Sequence, residues 1–238
     1  MSADARLSIL HLCGEGHPSG QTRVILDLAR AQTGAGHRVT VGCPAGSVLE
    51  ESVRAAGVAA APLSFDDNAA TGTAIARIAA ECGAEVVNAH SSLDRKAVLW
   101  ARAHAGLRSA VVFTRHVRTR TFPLKLWWQC RQVERVIAVS GDVAARLIAR
   151  GAPGAKIVVV PNGLPPEFLR DPPGEAAVAA ARAHIGRLPG APIVGVVSRR
   201  KAQEVLLRAV RHIGRPLNIA LIGVGPEPPL ERLAGATP

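Results

Sequence analysis

Short apolar runs alternate with longer Ala- and Arg-rich segments along nearly the whole of this 238-residue chain. A short apolar run buried on both faces suits a central parallel strand, and the longer amphipathic segment after it suits the helix that crosses back over the sheet. The pattern predicts strands near Leu7–Leu12, Arg38–Cys43, Val58–Leu63, Glu85–Ala89, Ala110–Thr114, Arg135–Val139 and Lys156–Val160. Between them it predicts helices near Gln21–Thr33, Val48–Ala56, Ala69–Cys82, Arg95–His104, Pro123–Val133 and Asp142–Arg150. Glycines at 34, 36 and 57 stand where helices should end, and Ser140 stands where an N-cap should.

The pattern breaks after Asn162-Gly163. Pro165, Pro166, Pro172 and Pro173 make the next stretch unfit for helix or central strand. A helix near Ala176–Ile185, a strand at Pro192–Val197, a helix at Ala202–His212, a strand at Leu217–Ile222 and a turn at Gly223–Pro229 follow. The expected class is α/β: an N-terminal Rossmann-like, doubly wound parallel sheet over residues 1–163, a Pro-rich linker and helix over 164–190, and a second Rossmann-like unit over 191–238. Two strands and their helices do not close a doubly wound sheet, so this second unit reads as incomplete.

Composition narrows the function. No apolar run approaches the roughly 18 residues of a membrane span, and the apolar stretch before Cys13 is too short for a signal peptide. A cytoplasmic location is expected. Cys13, Cys43, Cys82 and Cys130 are widely spaced, with neither a C-x-x-C pair nor a His at metal-ligand spacing, so they read as reduced thiols and no metal site is expected. The net charge of +11 invites a nucleic-acid partner, but the excess is local: between Ser109 and Arg135 stand Arg115, Arg118, Arg120, Lys125, Arg131 and Arg135 against the single acid Glu134. No nucleic-acid motif accompanies them, and a chain with three Trp, four Phe and no Tyr is poorly equipped for base stacking. Trp127 and Trp128 lie inside this basic stretch. Indole rings favour membrane interfaces and basic residues are drawn to anionic lipid, so Arg115, Arg118, Arg120, Lys125, Trp127 and Trp128 are candidates for an acceptor- or membrane-docking face, set against the alternative of one core Trp and a solvated charged face.

The loop Gly14-Glu15-Gly16-His17-Pro18-Ser19-Gly20 joins the first strand to the first helix, where backbone N–H groups and the helix dipole favour an anion. A flexible turn is the simpler alternative. Its G-x-G-x-x-x-G spacing misses the dinucleotide fingerprint by one residue, and the second strand ends in Cys43-Pro44 where a ribose-binding acid would stand, which disfavours NAD.

Seven segments in order carry a resemblance: Ile9-Leu10-His11-Leu12; Ser19-Gly20-Gln21-Thr22-Arg23 leading into Leu26-Asp27-Leu28-Ala29; Gly36-His37-Arg38-Val39-Thr40-Val41; Val86-Val87-Asn88-Ala89-His90-Ser91-Ser92; Thr114-Arg115-His116; Arg135-Val136-Ile137-Ala138-Val139-Ser140; and Lys156 through Gly163. Together they resemble family-four glycosyltransferases, retaining enzymes of GT-B fold that move a sugar from a nucleotide-diphosphate donor to an acceptor. The resemblance implies no cofactor beyond the nucleotide sugar as co-substrate. It implies a donor-facing Gly20, and a His116 that contacts the transferred sugar. It also implies a diphosphate clamp in Val196-Val197-Ser198-Arg199-Arg200-Lys201-Ala202, where Lys201 and either Arg199 or Arg200 take the family's Lys and Arg positions and Ala202 replaces a Gly. Gly223, Gly225 and Glu227 resemble the family's G-x-G-P-E turn near the nucleotide, although as pure structure they are a tight turn. The family's paired glutamates would fall beyond Pro238, so this chain alone is expected to be inactive, or nearly so, in transfer. A lipid or cell-envelope glycan is the expected acceptor, with peripheral attachment to the inner face of the membrane. A non-catalytic remnant that binds acceptor or membrane, and another GT-B enzyme such as a nucleotide-sugar epimerase, are the competing readings.

Overall fold

A computed structural model describes residues 6–116, 121–165, 170–185, 188–225 and 227–235. The chain divides into two compact units, Met1–Pro165 and Pro166–Pro238.

In the first unit, strands β1 (Ser8–Leu12), β2 (Arg38–Pro44), β3 (Ala59–Leu63), β4 (Val86–Ala89), β5 (Ala110–Arg115), β6 (Arg135–Ala138) and β7 (Ile157–Val159) alternate with helices α1 (Gly20–Gly34), α2 (Val48–Ala55), α3 (Asn68–Glu81), α4 (Ser92–His104), α5 (Pro123–Arg131) and α6 (Gly141–Ala149). The strands form one parallel sheet in the order β3-β2-β1-β4-β5-β6-β7. β1 therefore pairs with β2 on one side (Ile9 with Val39) and with β4 on the other (Ile9 with Val86), and the order reverses between β1 and β4. In open parallel sheets the crevice outside the carboxyl ends of the strands at such a reversal is where ligands bind.

The helices start where side chains satisfy their free N–H groups. Ser19 caps α1 in a reciprocal box with Thr22, Ser47 caps α2, Asp67 caps α3, Ser91 and Asp94 form a second box at α4, and Ser140 caps α6. Gly57 after α2 holds φ +71, a conformation that other residues rarely adopt. α5 is the exception: it begins at Phe122-Pro123 with no side-chain cap.

Alternate residues of the strands feed two apolar layers. Leu10, Leu12, Val87, Ala89, Val111, Phe113, Val136 and Ala138 pack with α3, α4, α5 and α6. Cys13, Val39, Val41 and Cys43 pack with Ile25 and Ala29 of α1 and Leu49 and Val53 of α2. All four cysteines are free thiols. Burial pushes Cys13 up to about 12 and Cys43 up to about 11, so both stay protonated and inert at neutral pH.

In the second unit α7 (Glu175–Ile185) precedes β8 (Ile193–Val197), α8 (Gln203–Ala209), β9 (Asn218–Ile222) and α9 (Pro228–Gly235). β8 and β9 pair in parallel as a separate two-stranded sheet. The segment expected to be a turn through Pro229 gives way to α9 at Pro228, because Pro fits the first turn of a helix, where no N–H is needed. Among the described residues no helix is long and apolar enough to cross a membrane.

Candidate functional site

Because the seven strands are parallel, the loops after β1, β4 and β5 emerge at one edge of the sheet. Those after β1 and β4 are tied together there. Asp94, fully buried in the first turn of α4, accepts hydrogen bonds from the backbone N–H of Gly14 in the β1 loop (3.2 Å) and of His90 and Ser91 after β4, as well as from the Ser91 hydroxyl. Burial raises the Asp94 pKa against the pull of the Ser91 N–H and of the neighbouring Arg95 cation.

The glycines of the β1 loop divide into two kinds. A Cβ on Gly14 would lie 2.9 Å from Leu93 Cβ, and one on Gly16 would lie 2.4 Å from Ser47 Cβ, so both are small because neighbours press on them. Gly20 has nothing within 4 Å of a built Cβ. It stands in open space as the first residue of α1, whose first turn carries no acid.

His116 follows β5 at the same edge and is partly exposed. It closes a file of three imidazoles: His90 Nδ1 is 3.0 Å from His116 Nε2, and His90 Nε2 is 3.1 Å from His11 Nδ1. His11 sits in β1, pointing away from Leu10 and Leu12 toward α1, where its Nε2 meets Gln32 Oε1 at 2.7 Å. Burial lowers the pKa of His11, and burial with the charge that protonated His11 or His116 would carry and the Arg95 cation drives that of His90 well down. Burial followed by Arg95 takes His116 to about 4, so the file is neutral at neutral pH. Among the described residues no three His, Cys, Asp or Glu side chains converge as metal ligands.

Two cations flank this file. Arg95 donates to the His90 carbonyl at 3.0 Å, and burial with the nearby Arg115 cation lowers its pKa to about 10, which leaves it charged. Arg115, grouped from the sequence with a surface-docking face, is instead 5% exposed, and its Nε has no hydrogen-bond partner. As the last residue of a strand covered on both faces, it is buried by position. Of the remaining docking candidates, Lys125, Trp127 and Trp128 do lie on the outer face of α5; Trp127 and Trp128 are 41% and 49% exposed, beside Phe122 at 70% and Leu124 at 68%. Arg131 stacks over the Trp127 ring at 4.9 Å. Both indoles are thus outside the core, whose contacts from α5 come from Leu126 and Cys130. Arg118 and Arg120 lie outside the described residues.

In the second unit, the β8–α8 loop carries the three basic residues expected to bind diphosphate, and the structure separates them. Arg200 is held by two carboxylates, Glu204 at 3.0 Å and Glu227 at 3.1 Å. Arg199 and Lys201 have exposed side chains with no acidic partner among the described residues. Gln203, 1% exposed, holds the loop by donating to Ser198 Oγ and the Arg199 carbonyl and accepting from the Lys201 N–H. Gly223 follows β9 at φ +87, and a Cβ there would lie 3.1 Å from the Ser198 carbonyl oxygen, so the two loops touch through backbone. Gly225 has open space around it, and Glu227 is engaged by Arg200.

Sequence reasoning did not single out His11, Gln32, His90, Asp94, Arg95 or Gln203 as site residues. A His inside an otherwise apolar strand, as at position 11, and one ending an apolar strand, as at 90, were the available signals, since a buried imidazole needs partners.

The Glycosyltransferase Family 4 model matches residues 18–168. A D-inositol 3-phosphate glycosyltransferase of Nocardia farcinica is 38% identical over 101 residues, covering 39% of this chain and 22% of that protein. Among solved structures, HepE of Anabaena in complex with UDP-glucose aligns with a TM-score of 0.76 at 16% identity, covering 98% of this chain and 66% of that one. A glycosyltransferase of Rickettsia africae aligns with a TM-score of 0.80 at 17% identity, covering 97% and 64%. The chain thus spans less than two thirds of the length of these relatives, and at such identities the structural likeness shows the fold, that of GT-B glycosyltransferases. With the family model matching well over half of its residues, the chain belongs to glycosyltransferase family 4.

Proposed function

We propose that the chain acts in glycosyl transfer, moving a sugar from a nucleotide-diphosphate donor to a lipid or cell-envelope glycan acceptor with retention of configuration. The observation that carries the reading is the division of labour in the β8–α8 loop: Arg200 is neutralised by Glu204 and Glu227, while Arg199 and Lys201 are left charged and unpaired on a loop held by Gln203. Two cations kept without partners suit a diphosphate, to which Arg offers a planar fork and Lys a point charge. On this reading the donor's leaving group belongs to the second unit, with Gly223, Gly225 and Glu227 near the nucleotide. On the first unit, Gly20 serves the donor diphosphate and His116 contacts the transferred sugar.

The protein's contribution is positioning and stabilisation of the departing diphosphate. His116 is neutral at working pH and its role is contact with the transferred sugar. The acceptor proton goes to the donor phosphate. A lipid-linked acceptor is supported by the outer face of α5, where Phe122, Leu124, Trp127 and Trp128 expose apolar surface beside Lys125 and Arg131. Such a face fits peripheral attachment to an anionic membrane.

The test is a calorimetric screen of uridine, guanosine and adenosine diphosphate sugars, followed by transfer of radiolabelled sugar to lipid and to soluble glycan acceptors. Saturable binding of one donor, weakened by Arg199→Ala, supports the reading; no binding of any of them overturns it.

A further inference from the structure

Gln32, His11, His90 and His116 form an unbroken hydrogen-bonded file from α1 to the carboxyl edge of the sheet, with steps of 2.7, 3.1 and 3.0 Å. His11 and His90 are 1% and 2% exposed, so within the file each ring nitrogen has only its neighbour to bond. A neutral imidazole carries one proton; one nitrogen donates and the other accepts. In a file of neutral rings the direction of one bond therefore sets the direction of all.

Gln32 sets it. With the amide oriented so that Oε1 meets His11 at 2.7 Å, that oxygen can only accept. His11 then carries its proton on Nε2 and offers the Nδ1 lone pair, to which His90 donates from Nε2. His90 in turn offers Nδ1, to which His116 donates from Nε2. The Nδ1 of His116 is left without a proton, and among the described residues nothing bonds to it. Neutrality is what makes the relay one-directional, because a protonated ring would donate from both nitrogens. Burial and the Arg95 cation keep the rings neutral.

We propose that Gln32, His11 and His90 are positioning residues that hold His116 in its Nε2-protonated tautomer, so that Nδ1 serves as an acceptor for a substrate hydroxyl. The role rests on the reading of this edge as the sugar side of a transferase. It goes beyond that reading by specifying the chemistry recognised. A bare imidazole nitrogen takes a hydrogen bond from a sugar hydroxyl and offers nothing to a phosphate or carboxylate oxygen, which needs a donor. The opposite direction of the same file would turn His116 into a donor and reverse that preference.

The experiment uses the 238-residue chain labelled with 15N in its histidines. Two-bond proton–nitrogen correlation near neutral pH distinguishes a protonated ring nitrogen from a bare one, and His116 is assigned as the signal set lost in His116→Gln. The expected result is a protonated Nε2 and a bare Nδ1 at His11, His90 and His116. A proton on Nδ1 of His116 overturns the proposal. In Gln32→Met, shown to be folded by circular dichroism, the terminal acceptor is gone and His116 should pass to a mixture of tautomers. An unchanged pure Nε2 tautomer there would show that the file does not set it. The wild-type spectrum decides the direction even if Gln32→Met does not fold. Because no substrate is present, these outcomes are read independently of sugar transfer, and an inactive chain with the expected tautomers would count against the transferase reading alone.

Discussion

Gly72 of α3 lies directly against the indole of Trp100 of α4: a Cβ built on Gly72 would stand 2.5 Å from Trp100 Cε3 and 2.9 Å from the Ala97 carbonyl oxygen. The two helices cover the same face of the sheet, and their close crossing depends on the missing side chain. Replacing Gly72 by Ala would normally favour a helix by about 1 kcal/mol. Here overpacking opposes that gain, at roughly 1–3 kcal/mol. Gly72→Ala should therefore lower stability, read as a fall in the urea midpoint; a rise would mean that α3 and α4 can separate freely.

Acid should unfold the first unit through its histidine file. The folded pKa values of His11, His90 and His116 all lie below the ordinary 6.5, that of His116 at about 4. Between those values the unfolded chain binds more protons than the native one, so stability is full above about pH 6.5 and is lost as pH falls toward 4. Each group contributes a slope of up to about 1.4 kcal/mol per pH unit. Asp94, whose folded pKa is raised, works in the opposite sense and returns some stability as pH falls through it. Urea titrations across this window should show a steep loss that His116→Gln makes shallower. An equal slope in both proteins would refute the assignment.

The three basic residues of the β8–α8 loop should separate on substitution. Arg199→Ala and Lys201→Ala each remove a charged hydrogen-bond donor, about 1.5–3 kcal/mol, or roughly ten- to a hundredfold in nucleotide-diphosphate affinity. Arg200→Ala breaks two half-exposed ion pairs of small worth, about 0–1 kcal/mol each, and should leave affinity within a few-fold. Isothermal titration of the three variants checks the order; Arg200→Ala as the most damaging would reverse the assignment.

The outer face of α5 should bind anionic vesicles. Removing both indoles in Trp127→Ser with Trp128→Ser should cut co-sedimentation with phosphatidylserine-containing vesicles by tenfold or more, since burying each aromatic side chain is worth on the order of 2 kcal/mol. Neutral vesicles should bind more weakly, as Lys125 and Arg131 each add about 1 kcal/mol at an anionic surface. Equal binding by wild type and double variant would remove α5 from the interface.

The order of strands and helices was legible in the sequence because each strand is a short apolar run such as Ile157–Val159 or Ala110–Phe113, bounded by caps and glycines. Strand ends agree to within a residue or two. The site was less legible. His11 and His90 stand 79 residues apart, and they meet only because β4 pairs with β1 and not with β3, which alternation alone does not dictate. Arg115 reads as a surface charge because charge at a strand end commonly reaches water, but both faces of β5 are covered. What sets Arg200 apart from Arg199 is its pairing with Glu204 and with Glu227, the latter a residue beyond the next strand.

The pairing of β1 with β4 also bears on the order in which the unit assembles. β2 and β3 join β1, and β5, β6 and β7 join β4, through connections of one helix each. The register of Ile9 with Val86 must instead close a loop more than twice as long as that of Ile9 with Val39. The added entropy is slight, on the order of 1 kcal/mol, but non-local parallel pairing is the slow kind. Two half-sheets can thus form before they meet, one carrying His11 and Gln32 and the other His90 and His116. The imidazole file straddles that seam, so the chemistry of the carboxyl edge is complete only once β1 and β4 have paired.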